Sequence, residues 1–243
     1  TGKLKAAARV RVTARATVPA PDAMIRPRAA GNDEEKYAAT MPIARPVQLR
    51  TTEKIIAIGA STGGTEAIKD VLIQLPPDCP GTLVAQHIPP VFSSAFARRM
   101  DQITDLTVCE AEHGQPVLPG HVYVAPGDKH LLLTRDGARY RCELSSGPLV
   151  NRHMPSVDVL FQSVARSAGR NGIGVLLTGM GADGARGMAE MKQAGSITIA
   201  QDEKSSVVWG MPGEAVKLGA AGKVLALDRI AAGIMMAVKE LQQ

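Results

Sequence analysis

Aromatic residues are scarce in this chain: Phe, Trp and Tyr together make up 3% of its 243 residues. Surfaces that bind nucleic acid by stacking bases need such rings, so their shortage argues against that class of partner. Cysteines number only three, Cys79, Cys109 and Cys142, far apart and in no CxxC pair. They make neither a disulfide framework nor a cysteine zinc site, and buried free thiols are the expectation. No run approaches the ~18 uninterrupted apolar residues of a membrane-spanning helix, and the basic N-terminus has no apolar signal core. A cytoplasmic protein without membrane insertion is therefore expected. A net positive charge is missing from most of the chain as well, although the pI is near 9.2. Residues 1–50 hold ten Lys or Arg against four Asp or Glu, a net of +6, so residues 51–243 carry about −1 of the chain's total of +5. The basicity belongs to a tail and gives no reason to expect nucleic acid.

What is present begins with that tail. Residues 1–50 are rich in Pro, Ala and charge, and Pro19, Pro21, Pro27, Pro42 and Pro46 preclude a long helix. They read as a flexible interdomain linker, and a first residue that is Thr rather than Met raises the expectation of an upstream domain. From residue 51 the pattern changes to short β runs alternating with helical stretches. The run at residues 54–59, the helical pattern at 65–75 and the run at 82–86 make a βαβ unit with parallel strands. The turn Arg135–Asp136–Gly137 marks a β-hairpin, so an antiparallel section interrupts an otherwise parallel α/β pattern.

The stretch KIIAIGASTGG, residues 54–64, organises the rest. An apolar strand stops at Gly59 and gives way to a glycine turn with Ser61 at its apex, in the Gly-x-Ser-x-Gly frame of a nucleophile elbow. Ser61 is then either a nucleophile or a capping serine in a phosphate-binding loop. A Walker A loop is rejected because Thr65 stands where its lysine should be. In an open parallel sheet, chemistry collects beyond the carboxyl ends of the strands. His87 follows the second strand and Asp183 follows the GVLLT strand, so nucleophile, base and orienting carboxylate meet on one edge if these strands are neighbours.

Rival readings exist for several residues. Gly179 to Gly184 fits G-x-G-x-x-G between a strand and a helix, with Asp202 at the distance of a ribose contact, so a nucleotide-binding regulatory module is an alternative. Asp183 inside that loop would repel a pyrophosphate. His113, His121 and His130 lack metal-ligand spacing and read as surface or loop residues, whereas His153, beside Arg152, is a candidate for shaping a pocket. Arg98 and Arg99 lie on a helix face that is either solvated or offered to an acidic partner.

GASTGG, QHIPP, APGDKH, NRHMPSVD, LTGMGADG and WGMPGEA occur in this order. Together they closely resemble the catalytic domain of the chemotaxis protein-glutamate methylesterases of the CheB type, over residues 54–243. The resemblance implies a doubly wound, mostly parallel, Rossmann-like three-layer α/β fold for a catalytic domain at 51–243, needing no cofactor or metal. It implies a triad of Ser61, His87 and Asp183, with the backbone N–H groups of Thr62 and Met180 as oxyanion donors; Arg152, His153 and Gly181 are candidates for the substrate pocket beside it. Hydrolysis of glutamate γ-methyl esters on the cytoplasmic helices of methyl-accepting chemoreceptors, with deamidation of receptor glutamines, is the implied activity. The implied partners are an upstream phosphoacceptor receiver domain and a chemotaxis histidine kinase, around a monomer. A non-catalytic receptor adaptor is a further alternative.

Overall fold

The computed structural model describes residues 53–242; the proposed linker at 1–50 lies outside the described residues. Nine strands and six helices follow one another along that span. Their order is β1 (Ile55–Ala60), α1 (Gly64–Leu72), β2 (Gly81–Gln86), α2 (Pro90–Ile103), β3 (Thr107–Glu110), β4 (His121–Val124), β5 (His130–Asp136), β6 (Arg139–Ser145), α3 (Val157–Ser167), β7 (Gly172–Leu176), α4 (Ala185–Gln193), β8 (Ile197–Gln201), α5 (Met211–Lys217), β9 (Lys223–Leu225) and α6 (Leu227–Glu240).

Seven strands form one sheet in the order β3-β4-β2-β1-β7-β8-β9, and every pairing in it is parallel. β1 is central because it carries no polar side chain: IIAIGA buries all six residues. Alternation sends Ile56, Ile58 and Ala60 to one face and Ile55 and Ala57 to the other. On the first face they meet α1, α2 and α6 through Ile68, Leu72, Phe96, Met100, Ile230 and Ile234. On the second they meet α3, α4 and α5 through Leu160, Phe161, Met188, Met191 and Met211. Helix layers therefore cover both faces, the arrangement that parallel strands require.

The antiparallel section is smaller than its sequence pattern suggests. β3 and β4 join the main sheet in parallel, and only β5 and β6 run antiparallel, as a separate two-stranded sheet. Leu131, Leu133, Tyr140 and Cys142 of this hairpin bury against the α3 side of the core. α2 begins at Pro90, directly after Ile88 and Pro89. Proline serves well there because the first helical N–H has no intrahelical acceptor to lose.

The site is positioned by the direction in which the chain winds. After β1 it moves one way along the sheet to β2, and it later returns to the other side of β1 with β7. β1 and β7 thus flank the point where winding reverses, and their loops diverge to leave a cleft at the carboxyl edge.

Candidate active site

Register sets the first two residues side by side. Ala60 pairs with Gln86 and Gly59 with Leu176, so Ser61, one step past β1, stands level with His87 after β2 and with Thr178 after β7. Main-chain hydrogen bonds hold that alignment: His87 N donates to Ala60 O at 3.2 Å, Ser61 N to Thr178 O at 3.0 Å and Leu177 N to Gly59 O at 2.9 Å. The elbow closes with Gly64 N donating to Ser61 O at 2.8 Å. Gly63 enters α1 at a φ of 77°, a left-handed conformation that an L side chain adopts only with strain.

Asp183 is the most heavily hydrogen-bonded group in the site. Its side chain is buried and receives His87 Nε2 at 2.8 Å and Val157 N at 2.6 Å on Oδ2. Asn151 Nδ2 at 2.6 Å, Ser156 Oγ at 2.8 Å and Asp158 N at 3.3 Å donate to Oδ1. The start of α3 therefore turns its N–H groups on a carboxylate from another loop, where the helix dipole favours negative charge. Burial alone would push this carboxyl up, but the hydrogen bonds from His87, Asn151, Val157 and Ser156 outweigh it and hold it down at about 2. Asp183 does not cap the helix it precedes, since α4 is entered through Gly184 at a φ of 92°.

This pairing decides the tautomer of His87. A carboxylate that is ionised at any ordinary pH calls for a proton on Nε2, which leaves Nδ1 as the basic lone pair. Nδ1 is buried and has no hydrogen-bond partner. The imidazole is held face-on by His153, whose ring stacks on it with centroids 3.7 Å apart and planes 11° from parallel. Burial, and next the neighbouring His87 ring, lower the pKa of His153, so the stack is favoured with His153 neutral.

His153 is carried by a turn that stores strain. Val150 and His153 exchange main-chain hydrogen bonds of 3.1 and 2.9 Å around Asn151 and Arg152, both with positive φ, 52° and 67°. Two left-handed residues in succession are the signature of a type I′ hairpin turn, normally filled by Asn-Gly. Asn is tolerated there, while Arg adds a cost of order 1 kcal/mol that the surroundings must hold. The return is that Asn151 Nδ2 reaches both Asp183 and Asp158, the latter at 2.7 Å.

A cleft of about 580 Å³ is lined by Ser61, Thr62, Asn151, Arg152, His153, Met180 and Gly181, while His87 and Asp183 are not among its lining residues. Both oxyanion candidates and all three pocket candidates named from the sequence thus share a wall with Ser61. The N–H groups of Thr62 and Met180 have no hydrogen-bond partner among the described residues. Chemically, a hydroxyl, a buried imidazole with a free lone pair, a fixed carboxylate and two unengaged N–H donors can attack a carbonyl and stabilise the oxyanion that forms.

The sequence match is in keeping with this arrangement. The CheB methylesterase family model matches residues 56–234. The chain belongs to that family. Among curated relatives, it is 52% identical over 237 residues to a protein-glutamate methylesterase/protein-glutamine glutaminase of Paraburkholderia xenovorans (strain LB400), covering 96% of this chain and 62% of the relative. A protein of the same name from Hydrogenovibrio crunogenus (strain DSM 25203 / XCL-2) is 58% identical over 191 residues, covering 79% of this chain and 51% of that one. The chain thus spans 62% and 51% of the length of these two relatives. The crystal structure of the Thermotoga maritima CheB methylesterase catalytic domain superposes with a TM-score of 0.74 at 38% identity, over 76% of this chain and 98% of that one. The three-layer α/β fold expected from the motifs is the fold of the family.

Other residues depart from their sequence readings. His130 is buried rather than superficial: Nε2 bonds Pro148 O at 3.0 Å and Nδ1 accepts from Ser156 N at 3.1 Å, bracing the approach to α3. Arg99 donates to Glu66 of α1 at 3.0 Å within the same domain. Asp202 accepts from Ser205 N at 3.0 Å and Ser205 Oγ at 2.6 Å, which engages it inside its own loop instead of leaving it for a ribose. The roles of Asn151, Asp158 and Gln86 are not legible in the sequence, since each also engages a segment 25 or more residues away. Among the described residues no group of His, Cys, Asp and Glu has the form of a metal site, and no helix is long and apolar enough to cross a membrane.

Proposed function

We propose that this chain is a serine hydrolase that cleaves glutamate γ-methyl esters of chemoreceptors, releasing methanol, and also deamidates receptor glutamines. The observation that carries the reading is the free Nδ1 of His87, on a ring whose Nε2 is committed to Asp183 and at a main-chain position level with Ser61. Ser61 Oγ attacks the ester carbonyl while His87 Nδ1 takes its proton. Thr62 and Met180 N–H hold the tetrahedral oxyanion, each contributing ~3 kcal/mol to the barrier reduction. Collapse returns the proton from Nδ1 to the leaving methoxide, giving methanol and a glutamyl ester on Ser61. Water, deprotonated by the same nitrogen, then releases the γ-carboxylate and restores Ser61. Ammonia replaces methanol when the substrate is a glutamine, an activity supported by the names of the relatives.

Residues 51–243 form the catalytic domain in this reading, and 1–50 join it to a receiver domain phosphorylated by a chemotaxis histidine kinase. The protein works in the cytoplasm as a monomer on receptor helices. Family membership and the partial coverage of longer relatives support this organisation. Arg152, His153 and Gly181 shape the pocket for the glutamyl side chain. The test is methanol release from methylated receptor membranes. Ser61→Ala is expected to abolish it while leaving the thermal transition in place, and turnover near that of the unmodified chain would refute the assignment.

A further inference from the structure

Gln86 ends β2, directly before His87, and is 3% exposed. Its Nε2 donates to Ser61 O at 2.9 Å and to His87 O at 3.1 Å. A primary amide has two hydrogens, so both are spent on the main chain of the two residues between which the proton would pass. Turning the amide over would set its oxygen against two carbonyl oxygens, which excludes the flipped orientation. Oε1 is buried with no partner, packed where a Cβ on Gly64 would come within 2.1 Å of it. An unpaired buried acceptor forfeits its hydration without return, and an apolar side chain of similar length would avoid that cost. The glutamine is thus a poor choice for packing alone.

We propose that Gln86 is a positioning residue that sets the separation of Ser61 and His87, an inference resting on the reading of those two as nucleophile and base. The β1–β2 ladder ends one step earlier, at the 3.2 Å bond from His87 N to Ala60 O. Beyond that point Ser61 turns toward α1 and His87 toward Pro89 and α2, and the amide of Gln86 ties the two departing segments together. Proton transfer needs Oγ and Nδ1 within hydrogen-bond reach. A misplacement of ~1 Å can cost about 100-fold in rate. Gln201, which ends β8, acts in a parallel way on the far side: its Oε1 accepts from Thr178 N at 2.8 Å and its Nε2 donates to Ser205 O at 2.8 Å.

The decisive variant is Gln86→Met, which keeps length and bulk but cannot donate. The Ser61 carbonyl retains its bond from Gly64 N, so the elbow itself stays closed. With a glutamate γ-methyl ester peptide as substrate, kcat is expected to fall about 10- to 100-fold with KM unchanged within about threefold. Labelling of Ser61 by a fluorophosphonate, read by intact mass, is expected to slow by the same factor. A kcat within about twofold of the unmodified chain, or a loss confined to KM, overturns the proposal. Ser61→Ala is run in parallel: if it still turns over substrate, the nucleophile assignment fails, whereas a dead Ser61→Ala beside a fully active Gln86→Met refutes the clamp alone. Should Gln86→Met not fold, the unmodified chain decides by NMR: both Gln86 amide protons are expected to exchange slowly with solvent, and fast exchange overturns the proposal.

Discussion

Replacing Asp183 by Asn isolates the carboxylate on which both α3 and His87 depend. Five donors converge on its two oxygens. An asparagine offers one oxygen and one NH2, so in either orientation the NH2 confronts at least two donors. If it faces His87, the imidazole must accept through Nε2 and carry its proton on Nδ1, the tautomer that cannot take a proton from Ser61. Wrong-tautomer variants of serine triads lose about four orders of magnitude in kcat, and a loss of ~10³- to 10⁴-fold is expected here.

The same substitution has a separate stability signature. The carboxyl is lowered from its ordinary 3.8 to about 2, a drop of nearly two pH units. At ~1.36 kcal/mol per unit, that is about 2 kcal/mol of native-state preference for the charged form. A depressed folded-state pKa stabilises above the unfolded value and is lost as pH falls through the folded one. Urea unfolding should therefore find Asp183→Asn less stable by at least about 2 kcal/mol at pH 7, with the gap narrowing between pH 4 and pH 2 as the unmodified chain takes up its proton. A gap that stays constant over that range, or activity within tenfold of the unmodified chain, would refute the reasoning.

Three further outcomes follow from the same geometry. Gly59→Ala would bring a Cβ to 2.1 Å from Val157 Cγ1 at the start of α3, so a stability loss of about 1–3 kcal/mol by chemical denaturation is expected, with activity falling beyond what unfolding explains. His153 has a folded-state pKa below its ordinary 6.5, so the stability it contributes is complete above that value and declines as pH drops below it. His153→Phe keeps a ring against His87 and should flatten the slope of stability with pH between 7 and 5; an unchanged slope would count against a neutral stack. Burial pushes the Cys142 thiol up to about 12 and that of Cys79 to about 11, so iodoacetamide at pH 8 should leave both unmodified in the folded chain by peptide mass mapping.

The strand–turn–helix at Ser61 was legible in sequence because each of its signals is local: an apolar run, closely spaced glycines, a helical pattern. His87 and Asp183 were legible for a related reason, since each follows a recognisable strand and the rule about carboxyl edges converts that into proximity. Asn151 was not, because its role depends on a left-handed conformation at Arg152 that no propensity favours and on two carboxylates 7 and 32 residues away. The choice of imidazole nitrogen and the bracing by Gln86 and His130 were equally hidden. Each depends on how segments from separate strands meet in space. The burial of His130 shows the limit of reading an isolated histidine: lacking metal-type spacing made it look superficial, yet both its nitrogens are engaged with main chain.

The order of the winding has a consequence during synthesis. Asp183 follows Ser61 by about 120 residues, a delay of roughly 6–25 s at ordinary translation rates. Until β7 docks against β1, the imidazole has no carboxylate to choose its tautomer, and the elbow lacks its bond to Thr178. A nascent or truncated chain therefore presents Ser61 without the arrangement that the proposed reaction requires. The reversal of winding beside β1 thus means that, in the proposed hydrolysis, Ser61 and His87 wait for the β7 side of the sheet to supply Asp183.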